Sequence, residues 1–516
     1  MASGTSVDSR LVARAGIRAG AIDRERLSRD GWSGWVKWQL SLPAEDSAVV
    51  RDALEKAVLH IEYEAGDGFK GKREDRHLTS LRKPVKELWH LADWDLKMGY
   101  EERMRPANEL LAATQIRAVL SEAQLRETVT DFWRDHFSVN MDAVEDVAIA
   151  LPTYDQEVLR THAFGNFREM LEAVATSTSM LAYLNNASSK ASPANENYAR
   201  ELLELHTLGA PAYLNSSFDR WREVPGALQG KPEGFIDQDV YEAARAFTGW
   251  TYGARQYLSE GATLPMTGEF TYTDAWHDPY QKRFLGLEFE PHGAPMEDGR
   301  RVLDLVAFHP ATAHYVSYRL CRRFVGDQPD AGLVAAVARV FAENAKAKDQ
   351  LARVIEHILL SPDFASTEAR LQRPLFLLAS LQRQAGVLLP SDPGLNDLLN
   401  GMGQRVYGWH SPAGHPLTSG YWQSPGLLVR RWRAMSEIWT RVMKASGNQN
   451  WASGKEFGAH WAATMELDEE HAAMSAKLLA QAYGDEQRRI DFSEGERWTT
   501  SQALTILSSS PSYQAV

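Results

Sequence analysis

Glu201, Glu204 and His206 fall in one stretch, Asn195 to Gly209, whose spacing predicts a helix carrying the two carboxylates on adjoining faces with an imidazole near its end. Asn195 or Asn197 can cap its start, and Gly209 suits a left-handed stop. Ala199, Leu202, Leu203 and His206 form one stripe, with Leu205 and Leu208 on another, so the helix is expected to be buried on more than one face. An ionisable group there must be paired, hydrogen-bonded, neutralised or metal-bound, because an isolated buried charge costs several kcal/mol. In one reading Arg200 pairs with Glu204 and His206 donates to a core carbonyl. In the other, the carboxylates converge with histidines from other helices on a metal or a substrate.

His136 is the next candidate. Leu125, Val129, Phe132 and His136 share one helical face, which turns the imidazole inward as a satisfied core group or as a ligand or acid/base group that titrates near neutral pH. Asp135 falls on a different face and is expected toward solvent. His277 and Asp278 lie in an irregular segment of the kind that often carries function, although Asp278 could equally cap its own backbone before Pro279. His309 ahead of Pro310 reads as a helix N-cap. Trp250, Trp409 and Trp422 sit near glycines and could wall a site for a sugar or another flat ligand, but with 16 tryptophans in the chain most must be core. Asp239, Glu242 and Arg245 recur at three-residue spacing, which a salt-bridge network explains as well as catalysis does.

The leading expectation is an enzyme, hydrolytic or oxidative, with His136, Glu201, Glu204, His206, His277 and Asp278 in its site. Within that set His136, Glu201, Glu204 and His206 would hold a divalent metal or move protons, acting on a small-molecule or carbohydrate-like substrate. A second expectation is a non-catalytic binding or maturation partner of another protein, using the Trp-rich loops. A third is a haem protein with a buried histidine as axial ligand. No phosphate-cradling Gly-x-x-x-x-Gly-Lys-Ser/Thr and no Gly-x-Ser-x-Gly elbow occur, which disfavours P-loop nucleotide chemistry and serine hydrolysis.

Composition narrows the partners. With 68 acidic against 56 basic side chains the net charge is −12, which repels a nucleic-acid backbone unless basic residues cluster. Arg319, Arg322 and Arg323, and then Arg430, Arg431 and Arg433, are the nearest clusters and are expected as solvated faces or ion-pair partners. Cys321 is the only cysteine, so neither an internal disulfide nor a thiolate-rich metal site can form. No apolar run is long enough to span a membrane and the mean hydropathy is −0.39, so a water-soluble chain is expected. The first residues lack a basic segment followed by an apolar core, which predicts a cytoplasmic protein, or a periplasmic or secreted one if a leader has been trimmed.

The elements that must position these residues are mainly α-helical. Pro84 marks a helix start, and Ser121 with Gln124, Thr153 with Gln156, and Asn166 with Glu169 have the spacing of capping boxes. From 209 to 299 the texture changes to a loop-rich insertion with a short β-hairpin and one helix, Asp237 to Phe247. Helical signal returns at Pro310 and runs to Leu388 with breaks near Asp327 and Pro362. A Gly/Pro/Trp-rich segment then occupies 401 to 425, ahead of a helix from Leu427 to Met443. The expectation is one continuous multi-helix body over 1–443 and a polar, then helical, extension over 444–516.

Several segments in order carry a resemblance: Trp133 to Phe137, Asn195 to Gly209, Asp239 to Trp250, His277-Asp278 with Lys282, His309 to Ala313, Ser361 to Phe364, and Trp422 to Arg430. Over roughly residues 10 to 440 the chain resembles the bacterial family catalogued as domain of unknown function 1800. That family lacks an assigned function, so the resemblance implies no mechanism. Two positions depart from its pattern: Asn185 stands where an aspartate is expected, and His415 where a tryptophan is expected.

Overall fold

Apolar residues repeating at helical spacing bury one stripe per helix, and the framework of this computed structural model is built almost wholly of such helices. The structure describes residues 2–259, 261–366, 368–446, 453–467, 469–483, 489 and 494–516. The polar stretch at 447–452 lies outside the described residues. The fold is mainly α, as the sequence predicts.

Two hydrophobic clusters organise the packing. The first holds Phe132, Trp133, Leu202, Val240 and Leu320, among others. The second holds Leu375, Leu381, Trp439, Trp461, Leu504 and Tyr513. The helix Tyr100–Leu120 serves both, giving Leu110 and Ile116 to the first and Ala118 and Val119 to the second. The segment after 444 supplies Phe457, Trp461, Leu479, Leu504, Leu507 and Tyr513 to the second cluster. Its last residues pair with the strand-like stretch at Arg370–Gln372 through Arg370 N to Val516 O at 2.9 Å and Gln372 N to Gln514 O at 2.9 Å.

Several helix boundaries follow the sequence. Asn166 caps Phe167–Ala175 by accepting from the backbone N–H of Arg168 and Glu169, and His309 caps Pro310–Phe324 by accepting from Ala311 N at 3.1 Å. Pro84 does precede a helix, but that helix is only Val85–Leu88, and the long one starts at Tyr100. Thr153 and Gln156 begin nothing: Glu145–Thr153 runs straight into a π-helical turn, Tyr154–Arg160, so the cap-like spacing sits inside a continuous rod. Ser121 lies outside Gln124–His136 and its hydroxyl accepts from Ala123 N instead of capping the predicted position.

Strand content exceeds the single hairpin expected in the insertion. Antiparallel pairs form between Trp250–Ala254 and Met266–Tyr272, Tyr257–Ser259 and Ala262–Thr263, and Lys282–Phe284 and Leu287–Phe289. A further hairpin, Val58–Tyr63 with Lys72–His77, stands in the region read as helical. It is held by cross-strand charge, His60 Nδ1 to Asp75 Oδ1 at 2.8 Å and Arg73 to Glu62 at 3.7 Å, with only Ile61 of its first strand buried. Its turn contains Gly66-Asp67-Gly68-Phe69-Lys70-Gly71, a spacing shared with dinucleotide-binding loops. Here it joins two strands and opens no helix, so it lacks the helix N-terminus that such loops use to hold phosphate. No helix among the described residues is long and apolar enough to cross a membrane.

Candidate functional site

The helix Gln124–His136 is buried along its whole length, and its C-terminal turn places Asp131, Arg134, Asp135 and His136 in the interior. His136 and His206 meet there with ring centroids 6.3 Å apart, and His136 Nε2 faces the His206 carbonyl at 3.0 Å. His206 ends a π-helical turn, Leu202–His206, that continues Asn197–Glu201, so the predicted single helix changes hydrogen-bond register in mid-course. Gly209 then adopts φ +89°, where a Cβ would lie 2.5 Å from the Tyr315 ring.

Both imidazoles are held neutral. Burial is the main cause, and the Arg319 guanidinium adds to it, pushing His206 down to about 3 and His136 well below its ordinary range. Among the described residues neither ring nitrogen of His206 has a hydrogen-bond partner, and Nδ1 of His136 has none. The expected carbonyl acceptor for His206 is therefore absent.

The other expected site residues lie apart from this pair. Glu201 and Glu204 are half-buried; Glu204 pairs with Arg200 at 3.3 Å, as the four-residue spacing predicts, and Arg200 also reaches Asp237. Burial, with the neighbouring Glu204, raises the pKa of Glu201. His277 and Asp278 belong to a separate buried network. His277 Nδ1 meets Thr248 O at 2.9 Å, Asp278 takes a two-pronged ion pair from Arg245, and Lys282 Nζ bonds Asp298 at 2.7 Å and the Tyr280 carbonyl at 2.9 Å. Burial works against the charge of Asp278, but Arg245 outweighs it and holds the carboxyl below its usual range. Among the described residues no three His, Cys, Asp or Glu side chains gather as a metal site would require, so the tetrad His136, Glu201, Glu204 and His206 is not assembled. Asp239, Glu242 and Arg245 form a structural set: Asp239 accepts from Ile236 N and Leu285 N, and Glu242 pairs with Arg245.

One expectation about exposure is reversed and a second holds only in part. Asp135 is buried, bonded to His415 Nδ1 at 2.8 Å and in ionic contact with Arg373 at 2.6 Å; these outweigh burial and hold its carboxyl below its ordinary range. Of the two arginine clusters, Arg319 and Arg431 are buried and Arg323 nearly so, whereas Arg430 and Arg433 are exposed as expected. An arginine stem is long enough to pass through a core and carry its head to an internal partner, so helical spacing next to apolar residues does not distinguish the two cases.

A cavity missed in the sequence opens where the segments after 403 cross the seam between the two hydrophobic clusters. Arg14, Arg323, Arg370 and Arg373 line it, with Trp422 and Phe376 as aromatic walls. Arg373 donates to Asp131 at 2.9 Å and lies 5.1 Å from the Trp422 ring. Arg370 bonds the carbonyls of Arg322 and Leu417 and meets Asp327 at 3.3 Å. Arg14 bonds the Glu368 carbonyl. Arg323 differs from these: its side chain is only 10% exposed, and among the described residues it forms no side-chain hydrogen bond and one ionic contact, Asp131 at 4.0 Å. Burial, reinforced by Arg373, pushes its pKa down to about 9. The enclosed space is about 50 Å³. One water needs roughly 10–15 Å³ by that measure, so the cavity admits a few waters or the head of one small oxyanion.

Trp409 and Trp422 flank His415, at ring-centroid distances of 4.6 and 6.2 Å. Trp250 packs instead against Phe247 and Phe270, so the three tryptophans do not form one wall. His415 itself is fully engaged, with Nδ1 on Asp135 and Nε2 accepting from Arg405 N at 3.1 Å.

No curated protein matches the chain, and no solved structure matches it. The family model described as protein of unknown function (DUF1800) matches residues 10–515, through the second hydrophobic cluster as well as the first. The chain belongs to that family.

Proposed function

We propose that this protein binds a small molecule through an anionic head, a carboxylate or a phosphate, seated in the cavity of Arg14, Arg323, Arg370 and Arg373. The observation that carries this reading is the Arg323 guanidinium, nearly buried beside three further arginines, with Nε and Nη2 lacking a hydrogen-bond partner among the described residues. A guanidinium presents a planar fork that matches carboxylate and phosphate oxygens. With only a 4.0 Å contact to Asp131, which Arg373 already holds at 2.9 Å, its charge is poorly compensated, and an incoming anion relieves that cost. Trp422 offers a flat apolar surface to the body of the ligand.

Arg323→Met tests the reading because the two states respond with opposite sign. In buffer containing only chloride, removing this poorly compensated charge, while Arg373 still holds Asp131, leaves thermal stability equal or higher. Inorganic phosphate or acetate then raises the Tm of the wild-type protein and not that of the variant, the gain reaching about 2.7 kcal/mol at a concentration of about 100 Kd. An equal response of both proteins to either anion rules the pocket out.

A second reading, proton transfer at His136 and His206, rests on the three ring nitrogens without partners. Loss of turnover on a panel of hydrolase and oxidoreductase substrates in His206→Gln, with Tm unchanged, supports it.

A further inference from the structure

A larger cleft, about 280 Å³, lies between the Tyr100–Leu120 and Pro393–Gly401 helices and the Val58–Tyr63 strand. Its chemistry is opposite to that of the arginine cavity. Its charged groups are already engaged: Asp392 caps Leu395 N and pairs with Arg441, Arg405 pairs with Asp142 at 2.8 Å, and His60 bridges Asp75 and Glu62. Asp397 is the exception, without an ion-pair partner among the described residues.

What remains is carboxamide. Asn108 and Asn400 line the cleft, are exposed, and form no side-chain hydrogen bond among the described residues. Asn396 accepts from Gln115 Nε2 at 2.6 Å, which leaves the Asn396 amino group free and Gln115 Oε1 unpartnered. Each carboxamide offers a donor and an acceptor side by side, the same pair that a hydroxyl group offers. Leu111, Met141 and Leu399 supply an apolar floor of a kind that takes the C–H face of a ring. An anionic ligand finds no free cation among the described residues of this cleft, a cationic one finds only the exposed Asp397 carboxylate, and a purely apolar one would strip water from the amides without replacing their bonds.

We infer that the cleft between the Tyr100–Leu120 and Pro393–Gly401 helices is a binding site for a neutral polyhydroxyl ligand, a sugar ring held by Asn108, Asn396 and Asn400 over Leu111 and Met141. The cleft shares no lining residue with the anion cavity, and Gln404 on its wall is committed to the fold through Leu375 N at 2.9 Å and Asp131 at 3.1 Å.

Calorimetry on the full chain with maltose and N,N′-diacetylchitobiose as probes tests it, with gluconate, spermidine and trialanine as charged and peptide comparisons. At least one neutral disaccharide binds, and Asn108→Leu and Asn400→Leu each weaken it about tenfold, the loss of one hydrogen bond. Both positions are exposed, so the variants retain the wild-type Tm. The bound sugar also slows amide hydrogen exchange across Pro393–Gly401 in the wild-type protein, a readout that needs no variant. Arg323→Met leaves sugar affinity unchanged, which separates this site from the anion cavity. Absence of binding by both disaccharides, equal affinity in both variants, or preference for trialanine overturns the inference.

Discussion

Asp135 Oδ1 accepts a hydrogen bond from His415 Nδ1 at 2.8 Å and another from the His415 backbone N–H at 3.2 Å, tying the 403–425 segment to the end of the Gln124–His136 helix. An aspartate orienting an imidazole in this way is also the arrangement found behind a general base. Here the far nitrogen, Nε2, is occupied by Arg405 N, so the pair holds a loop in place and activates nothing. His415→Ala removes a bond to a buried charge and leaves the Arg405 N–H without its acceptor. A loss of about 3 kcal/mol is expected in urea unfolding, partly recovered in His415→Asn, whose amide can still donate to Asp135. Equal stability of the alanine variant and the wild type contradicts this account.

The same contact explains why Gly414 must be glycine. At φ +71° its Cα approaches the helix end so closely that a Cβ would lie 2.1 Å from the Asp135 carbonyl oxygen. Gly414→Ala therefore displaces the segment that carries His415 and Trp422, and with it one wall of the arginine cavity. Expected outcomes are a drop in Tm and loss of the phosphate-induced stabilisation, whereas an exposed control, Gly420→Ala, with open space at its Cβ, changes neither.

Lys282 is fully buried and surrounded by Asp298 and the carbonyl oxygens of Asp278 and Tyr280. Removing one partner of a buried ion pair leaves the other uncompensated, at a cost of roughly 3–5 kcal/mol. Lys282→Met is thus expected to unfold far more readily in urea, while Lys282→Met combined with Asp298→Asn regains part of the loss. A surface-like change of under about 0.5 kcal/mol would show that water reaches this network.

Helix positions and the N-caps at Asn166 and His309 were legible because they depend on local spacing. The π-helical turns at Tyr154–Arg160 and Leu202–His206 were not, since an i to i+5 bond leaves no compositional mark and the residues involved read as ordinary helix. The expected site residues were chosen as awkward to bury, and of them His136, His206 and Asp278 are buried while Glu201, Glu204 and His277 are only partly so. What spacing could not tell is which partners lie far along the chain: Glu204 found its own neighbour Arg200, Asp278 found Arg245, and His206 found none. The arginine cavity was hidden for the same reason, because Arg14, Arg323 and the pair Arg370 and Arg373 come from three distant segments. Sequence allowed Arg323 a solvated face or an ion-pair partner, and packing against Phe324 and Phe376 with the contact to Asp131 decides for the second.

His206 gives the chain a pH dependence whose sign follows from burial. Its folded-state pKa is pushed down to about 3 from an ordinary 6.5, so between those values the unfolded chain binds a proton that the folded chain refuses. Stability is therefore complete above pH 6.5 and falls as pH drops through this window, by about 1.4 kcal/mol per pH unit for one group. His136 acts in the same direction. From pH 7 to pH 5 the His206 share is a loss of about 2 kcal/mol. His206→Leu deletes this titration together with two unpartnered buried nitrogens, so it is expected to match or exceed wild-type stability at pH 7 and to exceed it clearly at pH 5. Urea midpoints at the two pH values decide it: a variant that loses as much stability on acidification as the wild type means that solvent protonates His206 in the folded protein.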